Sequence, residues 1–437
     1  MQRITIHNFG PVPSCELDIQ SFMILIGEQS TGKSTICKCV YFFKSIRDEV
    51  KSHLYRILTA GPTTEKKFPG SLKAELKSRF IELFGMSKFK GDFFLKYEYA
   101  PGLNLEITTT NDKHRYLDFN FSQSMILQIQ NLEEQAARHY YEITKVKEES
   151  LKDFFNLERG RLFKSLETEV HKVFYDEKDH HYIPAGRGLL TLLTNQLLNI
   201  ELKSLDYITR DFLKLIQSER SRFELSLSNL ISSSTDPEFL KKHDVQQKVA
   251  SILKGHYYLR GEKEYIKPLQ NRSSLPINYA SSGQQEVLWI LNLLLLWLLD
   301  NKKAFVIIEE PEAHLFPNAQ KEVIDFIALF ANASDSQIMI TTHSPYVLTS
   351  ANNLFYAGRI GEQQQAGVDS IISKDYWIKP DSFSAYMVGD SKDNHIKSIV
   401  DDELQEIAAE HIDNISTLIR TQYSKIFELE AENEFFD

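Results

Sequence analysis

Three cysteines in 437 residues, Cys15, Cys37 and Cys39, are too few and too odd in number for a disulfide framework, and their spacing matches no zinc site. The chain also lacks an apolar stretch of about 20 residues, the length a membrane-spanning helix needs. The apolar run from Val287 to Leu299 is shorter and reads as a buried helix. No apolar targeting segment precedes the strand-like alternation of "MQRITIHNFG", so a reducing cytoplasm is expected. Excess positive charge is missing as well: a net charge of −10 argues against non-specific coating of nucleic acid. Neither internal repeats nor low-complexity segments are present.

What is there is ordinary globular composition, 42% hydrophobic and 25% charged. The length exceeds what one core usually supports, so two domains, or one domain with a large insertion, are expected. One local basic stretch stands out, with Lys66, Lys67, Lys73, Lys77, Arg79, Lys88 and Lys90 against Glu75 and Glu82. It reads as a solvated helix face, with a nucleic-acid or partner contact as the alternative.

Residues 2–26 alternate as strands and end in the buried run "FMILIG"; a helix is expected from about Lys33 into the Phe42 region. Residues 91–121 alternate around Pro-Gly and Asn-Asp, as in an antiparallel meander. Residues 122–178 and 189–253 are helical and charged, separated by the short strand-like "HYIPAGRG". Strands return in "GHYYLRGEKEYIKPL". From there a helix over 285–300, the strand "AFVIIEE", a helix over 317–332 and the strand "SQIMITTHS" alternate as in a parallel βαβ sheet.

Three motifs carry chemistry. "GEQSTGKST" follows an apolar strand and opens a helix, the context of a phosphate-binding P-loop. Gly27 and Gly32 let the backbone wrap phosphates, Lys33 neutralises them, Ser34 holds Mg²⁺ and Thr35 closes the loop. "AFVIIEEPEAHLFP" places Glu309 and Glu310 at the end of a buried strand. Glu309 is suited to hold Mg²⁺ through water, and Glu310 to orient or deprotonate an attacking water. His343, just past the next apolar strand, is in position to reach a γ-phosphate. A polar knot, Ser281-Ser282-Gly283-Gln284-Gln285, opens the apolar helix; serine is a good N-cap, and a helix start also suits an anion.

Together these residues resemble the ABC-type ATPases, and within them the branch of SMC-like repair proteins and overcoming-lysogenization-defect nucleases. "HNFGPV", "EEPEAHLFP" and the knot carry the resemblance. It implies an α/β fold: a P-loop ATPase head with a parallel sheet flanked by helices, an antiparallel β subdomain and a large, mainly helical insertion. It implies ATP and Mg²⁺ as ligands. Ser281, Ser282, Gly283 and Gln284 then stand as the signature that binds the γ-phosphate of ATP held by an opposite subunit, which makes the protein at least a dimer. Ser282 replaces a glycine of that signature, and Phe316 replaces an aspartate common in the loop after the carboxylates. Where the family places a glutamine loop, this chain has "YIPAGRG", which offers Arg187 as a phosphate or interface contact.

The resulting division is an N-terminal lobe over 1–121, a helical insertion or lid over 122–254, a C-terminal lobe over 255–360, and an extension over 361–437. In that extension "VGDSKDNH" and "VDDELQE" read as solvated surface, with Asp401 or Asp402 capping a long amphipathic helix. Residues 401–437 carry eleven acidic and two basic side chains and end in "ENEFFD", which suits packing or a basic partner surface. "DEKDHH" at 176–181 reads as a loop. No clear Glu plus Asp-x-Asp nuclease set follows His343. The resemblance therefore points to an anti-phage ATPase subunit of Septu type or PARIS type, which controls a separate effector: an HNH nuclease first, a Toprim protein second. An SMC-like DNA-repair ATPase is the alternative, though neither helical block has the long regular heptads of a coiled coil. A transporter ATPase would carry a more standard signature.

Overall fold

The apolar runs become strands covered on both faces. A computed structural model describes residues 1–62, 67–85, 91–109, 117–144, 152–193, 205–270, 273–389, 395–401, 403–404, 406–407 and 420–424. Strands β1 (Arg3–Phe9), β2 (Val12–Asp18) and β3 (Phe22–Ile26) lead into α1 (Lys33–Ala60). Helix α2 (Lys73–Phe84) and strands β4 (Phe94–Ala100), β5 (Leu103–Thr109) and β6 (Leu117–Phe121) come next, then α3 (Gln123–Thr144) and α4 (Lys152–Phe174). After β7 (Asp179–Ile183) lie α5 (Arg187–Leu193), α6 (Tyr207–Glu219), α7 (Leu227–Ser232), α8 (Pro237–Lys242) and α9 (Val245–Leu253). The remainder comprises β8 (Gly255–Arg260), β9 (Lys263–Pro268), β10 (Leu275–Pro276), α10 (Ser282–Leu299), β11 (Ala304–Glu309) and α11 (Pro317–Ala333). It continues with β12 (Gln337–Thr342), α12 (Pro345–Gly361), α13 (Gln365–Asp369), β13 (Phe383–Val388), β14 (Ile396–Ser398), β15 (Val400–Asp401) and β16 (Glu406–Ile407).

The central sheet runs β14-β13-β3-β12-β11-β7, parallel except for β14. Its register sets Thr342 and Met387 beside Ile26, Glu309 beside Thr341, and Ile183 beside Ile308. All five parallel strands therefore end at one edge, the place where open α/β sheets bind ligands. Alternate residues feed two cores. Phe22, Ile24, Val306 and Ile308 face the core that holds α10, α11 and α12. Met23, Leu25, Phe305 and Ile307 face α1 and the antiparallel sheet β2-β1-β4-β5-β6. Burial on both faces explains why these strands read as unbroken apolar runs rather than alternating ones. This is the α/β arrangement that the sequence predicts. Helix α10 is apolar all round because it is buried nearly all round, from Glu286 to Leu299.

Three strands of the sheet come from segments outside the expected lobes: β7 from the insertion, and β13 and β14 from the extension. Helix α1 is longer than its motif suggests and runs on to Ala60, where Gly61 ends it at φ 83°.

Two expectations are corrected and a third is favoured. "DEKDHH" is a loop only as far as Lys178; Asp179–His181 lie in β7. Its Asp176 pairs with the buried Lys44 at 2.6 Å, and His180 lies in β7 with Nδ1 2.9 Å from Asp48 and Nε2 3.2 Å from Asp176. Burial alone would raise the Asp176 carboxyl, but the Lys44 charge and the His180 hydrogen bond outweigh it and hold it well below the usual carboxylate range. The amphipathic helix does not start at Asp401. Asp401 ends β15, its Oδ1 accepts from the N–H groups of Glu403 and Leu404, and Ile407 in β16 is buried, its N–H donating to Asn352. Residues 420–424 are helical, whereas 408–419 and 425–437 lie outside the described residues. In the basic stretch, Lys67, Lys73 and Arg79 are taken up by Glu134, Asp118 and Glu49 respectively, which favours the solvated-face reading; Lys66, Lys88 and Lys90 lie outside the described residues.

Candidate functional site

The turn after β3 needs glycine twice. At Gly27 an added Cβ would stand 2.2 Å from the Val388 carbonyl oxygen at the end of β13. At Gly32, φ is 100° and a Cβ would meet the Val12 side chain at 2.7 Å. Gly32 is also the N-cap of α1 and supplies no side-chain cap; the first helical hydrogen bond runs from Ile36 N–H to Gly32. The N–H groups of Lys33, Ser34 and Thr35 thus open a 28-residue helix without a side-chain acceptor, which suits an anion. Ser34 is exposed there, and Thr35 lies beside it. Lys33 is 6% exposed as a residue, and its ammonium donates to the carbonyls of Gly27 at 2.8 Å and Glu28 at 2.7 Å. Burial pushes it below its ordinary pKa, against the opposing charge of Glu310 foremost.

The carboxylates come from the end of β11. Glu309 is buried, its Oε1 accepting from Tyr182 Oη at 2.8 Å and its Oε2 from Ala185 N–H at 3.1 Å. Burial and the adjacent Glu309 charge raise the Tyr182 hydroxyl well above its ordinary pKa, which keeps it a donor. Glu310 turns out of the strand at φ 44°, and its Oε1 lies 3.3 Å from His343 Nε2. Behind them, Glu312 Oε1 accepts from Thr342 Oγ1 at 2.6 Å and from His343 N–H at 2.9 Å, while its Oε2 is buried and has no hydrogen-bond partner among the described residues. Glu310, Glu312 and Glu309 all act on the charge of Lys33, but among the described residues no three acidic, histidine or cysteine side chains are gathered closely enough to hold a metal ion by themselves, so a cation here would also need phosphate oxygens.

At the head of α10 the knot forms a complete capping box. Ser281 Oγ accepts from Gln284 N–H at 3.3 Å, and Gln284 Oε1 accepts from Ser281 N–H at 3.1 Å. Gln284 Nε2 also donates to Leu253, and Gln285 Nε2 to Ile277 and Ala280. Ser281 and Ser282 are exposed. Gly283 is buried, and a Cβ there would meet the His314 carbonyl oxygen at 2.7 Å, so the knot rests on the loop that follows the carboxylates. Phe316, in that loop, is 75% exposed. Among the described residues, no hydrogen bond or ion pair joins the knot to the P-loop. The structure brings Lys33, Glu309, Glu310 and His343 together and sets Ser281 to Gln284 apart from them.

Arg187 is neither a phosphate contact nor an interface contact. It is fully buried, and its guanidinium donates to the carbonyls of Pro184 (2.6 Å), Glu286 (2.9 Å), Glu309 (2.5 Å) and Glu310 (2.8 Å). Its own N–H and that of Gly188 donate to the Glu286 carboxylate. Arg187 is therefore an internal clamp between the head of α10 and the carboxylate strand. Sequence reasoning missed Tyr182, Glu286 and Glu312. Glu312, the third acid of "EEPE", was visible beside the other two; the partners of Tyr182 and Glu286 follow only from the pairing of β7 with β11.

The chain matches the family described as AAA ATPase domain over residues 1–348. It is similar to the lipoprotein-releasing system ATP-binding protein LolD of Neorickettsia sennetsu, 29% identical over 91 residues, which are 21% of this chain and 38% of that protein. The chain thus spans about 38% of the length of this curated relative. Among solved structures it is similar to an SMC head bound to the C-terminal winged-helix domain of ScpA, at TM-score 0.37 and 11% identity, covering 80% of this chain and 91% of that one. It is also similar to the SMC head domain from Thermotoga maritima, at TM-score 0.34 and 8% identity, covering 80% and 90%. With the family matching most of its length, from the first strand past the P-loop, the paired carboxylates and His343, the chain belongs to the AAA ATPase domain family.

Proposed function

We propose that this ATPase binds and hydrolyses ATP at the carboxyl edge of the central sheet, at a site completed by the Ser281–Gln284 knot of a second copy. The observation that carries the reading is the contact of His343 with Glu310, 3.3 Å apart, at the same edge as the open first turn of α1. In this reading the N–H groups of Lys33, Ser34 and Thr35 cradle phosphate and Lys33 exchanges its loop carbonyls for phosphate oxygens. Ser34 and Glu309 hold Mg²⁺, with Tyr182 and Ala185 orienting the Glu309 carboxylate. Bound Mg²⁺ supplies charge neutralisation on the phosphate oxygens. Glu310 accepts the proton of the attacking water, and His343 donates towards the γ-phosphate. Arg187 keeps the backbone of Glu309 and Glu310 fixed.

The finer role follows from the resemblance in "HNFGPV", "EEPEAHLFP" and the serine form of the knot. It is an ABC-type, cytoplasmic ATPase of a Septu-type anti-phage system, whose ATP state controls a separate HNH-type nuclease. Glu310→Gln tests the chemistry. It retains shape and loses the basic oxygen, so ATP binding is expected to persist while turnover falls at least 100-fold; an unchanged rate removes Glu310 from the mechanism. Native pull-down with mass spectrometry tests the role, and recovery of no nuclease partner removes the anti-phage reading.

A further inference from the structure

The hairpin β8–β9 has one face inside the protein and one outside. Tyr257, Leu259 and Ile266 point into the core, together with Glu264, whose carboxylate accepts from Tyr257 Oη at 2.6 Å. The other face carries His256, Tyr258 and Arg260 on β8 and Lys263, Tyr265 and Lys267 on β9. The register arranges these six in three cross-strand rows: His256 opposite Lys267, Tyr258 opposite Tyr265, and Arg260 opposite Lys263. The middle row is a stacked aromatic pair, ring centroids 5.4 Å apart and planes inclined by 12°. Arg260, Lys263 and Lys267 are exposed, and among the described residues no ion pair engages them. The hairpin has two acidic residues: Glu264 is buried, and Glu262, in the turn, is paired with Arg220.

A chain of net charge −10 therefore presents one local face on which cations flank aromatics, and of the hairpin's two carboxylates the exposed one, Glu262 in the turn, is paired with Arg220. We infer that this outer face of β8–β9 binds single-stranded nucleic acid, a base stacking on Tyr258 and Tyr265 and the phosphates on either side meeting Arg260, Lys263 and Lys267. Rows two residues apart lie about 6.8 Å apart along a strand, so a base on the middle row leaves its neighbouring phosphates within reach of long cationic side chains. Aromatic platforms bordered by cations are what unpaired bases use, while a duplex keeps its base faces inside the stack. An acidic protein segment would use the cations but leave the stacked tyrosines without a role.

The face also adjoins the knot. Leu253, just before β8, accepts the hydrogen bond from Gln284, and β10, paired to β9 through Pro276 and Tyr265, leads directly to Ser281.

The test measures fluorescence anisotropy of labelled oligothymidylate and oligouridylate of about 20 nucleotides, enough to cover one such site, on the full chain without nucleotide. Binding is expected, with a log–log salt slope near −2 for three cations at about −0.7 each. Arg260→Glu with Lys263→Glu is expected to weaken it at least tenfold and flatten the slope, with an unchanged melting temperature because both side chains are exposed. Tyr258→Ala is expected to weaken it at least fivefold. The inference is overturned if the parent binds neither strand, if the variants bind as the parent does, or if duplex DNA competes equally well. It is likewise overturned if polyglutamate alone binds in a way the charge reversals abolish, which would reassign the face to an acidic protein.

Discussion

Helices α1 and α10 both start within a cluster of serine, glycine and other small polar residues, and their first turns are closed in opposite ways. Gly32 gives α1 no side-chain cap, and among the described residues the nearby Lys33 hydrogen-bonds loop carbonyls, those of Gly27 and Glu28. Ser281 and Gln284 close α10 reciprocally, with no outside group needed. The first arrangement is unfinished in the protein alone and invites an anion; the second is stable by itself and leaves two exposed serines facing outward. The difference teaches that the start of α1 needs a ligand to complete its own turn, whereas the start of α10 is complete within the chain and has its exposed serines left over for a second copy's nucleotide.

Substitutions at each end sharpen this contrast. Lys33→Ala should have the largest effect, lowering ATP affinity at least 100-fold in equilibrium binding while the melting temperature holds; unchanged affinity would place the nucleotide elsewhere. Ser281→Arg should leave binding to the chain's own P-loop intact and abolish turnover. Mixed with Lys33→Ala protein, it should regain part of the activity, because one site of a mixed dimer pairs an intact P-loop with an intact knot. No recovery in subunits shown to exchange would break the shared-site reading.

Arg187→Ala tests the clamp between the two ends. It strips a buried cation from four carbonyls and from Glu286, and about 3–5 kcal/mol of stability should be lost in urea unfolding. A loss below about 1 kcal/mol would show that α10 and the carboxylate strand are held by packing alone. The smallest effect belongs to Ser281→Ala, about 1 kcal/mol, the usual worth of an N-cap. The two helices differ as described only if this loss appears in stability and not in binding to the P-loop.

Much of this was legible in sequence because the signals are local. The P-loop turn, the carboxylate pair and His343 sit at the ends of apolar runs, and burial on both faces makes those runs conspicuous. Arg187 was misread because its role depends on β7 lying beside β11, a pairing of segments far apart in the chain. The C-terminal periodicity from Asp401 was real as a pattern, but burial of Ile407 against α12 and the pairing of β15 with β16 override it there. The stretch around Lys73 looked cationic because its counter-charges, Asp118 and Glu134, come from elsewhere. The quieter Arg260 and Lys263 meet no counter-charge in an ion pair among the described residues.

The order β14-β13-β3-β12-β11-β7 also dictates when the molecule can come into being on the ribosome. The P-loop strand β3 is made more than 300 residues before either of its neighbours, β12 and β13, is complete. Gly27 has its final packing partner only when Val388 has been synthesised. At roughly 5–20 residues per second, translation holds the nascent P-loop unpaired for tens of seconds, with β3 exposing apolar residues on both faces. Such long-range parallel pairing is intrinsically slow to close. A circular permutation that places β13 before β3 would shorten that interval on one side of β3 and leave β12 as the late partner.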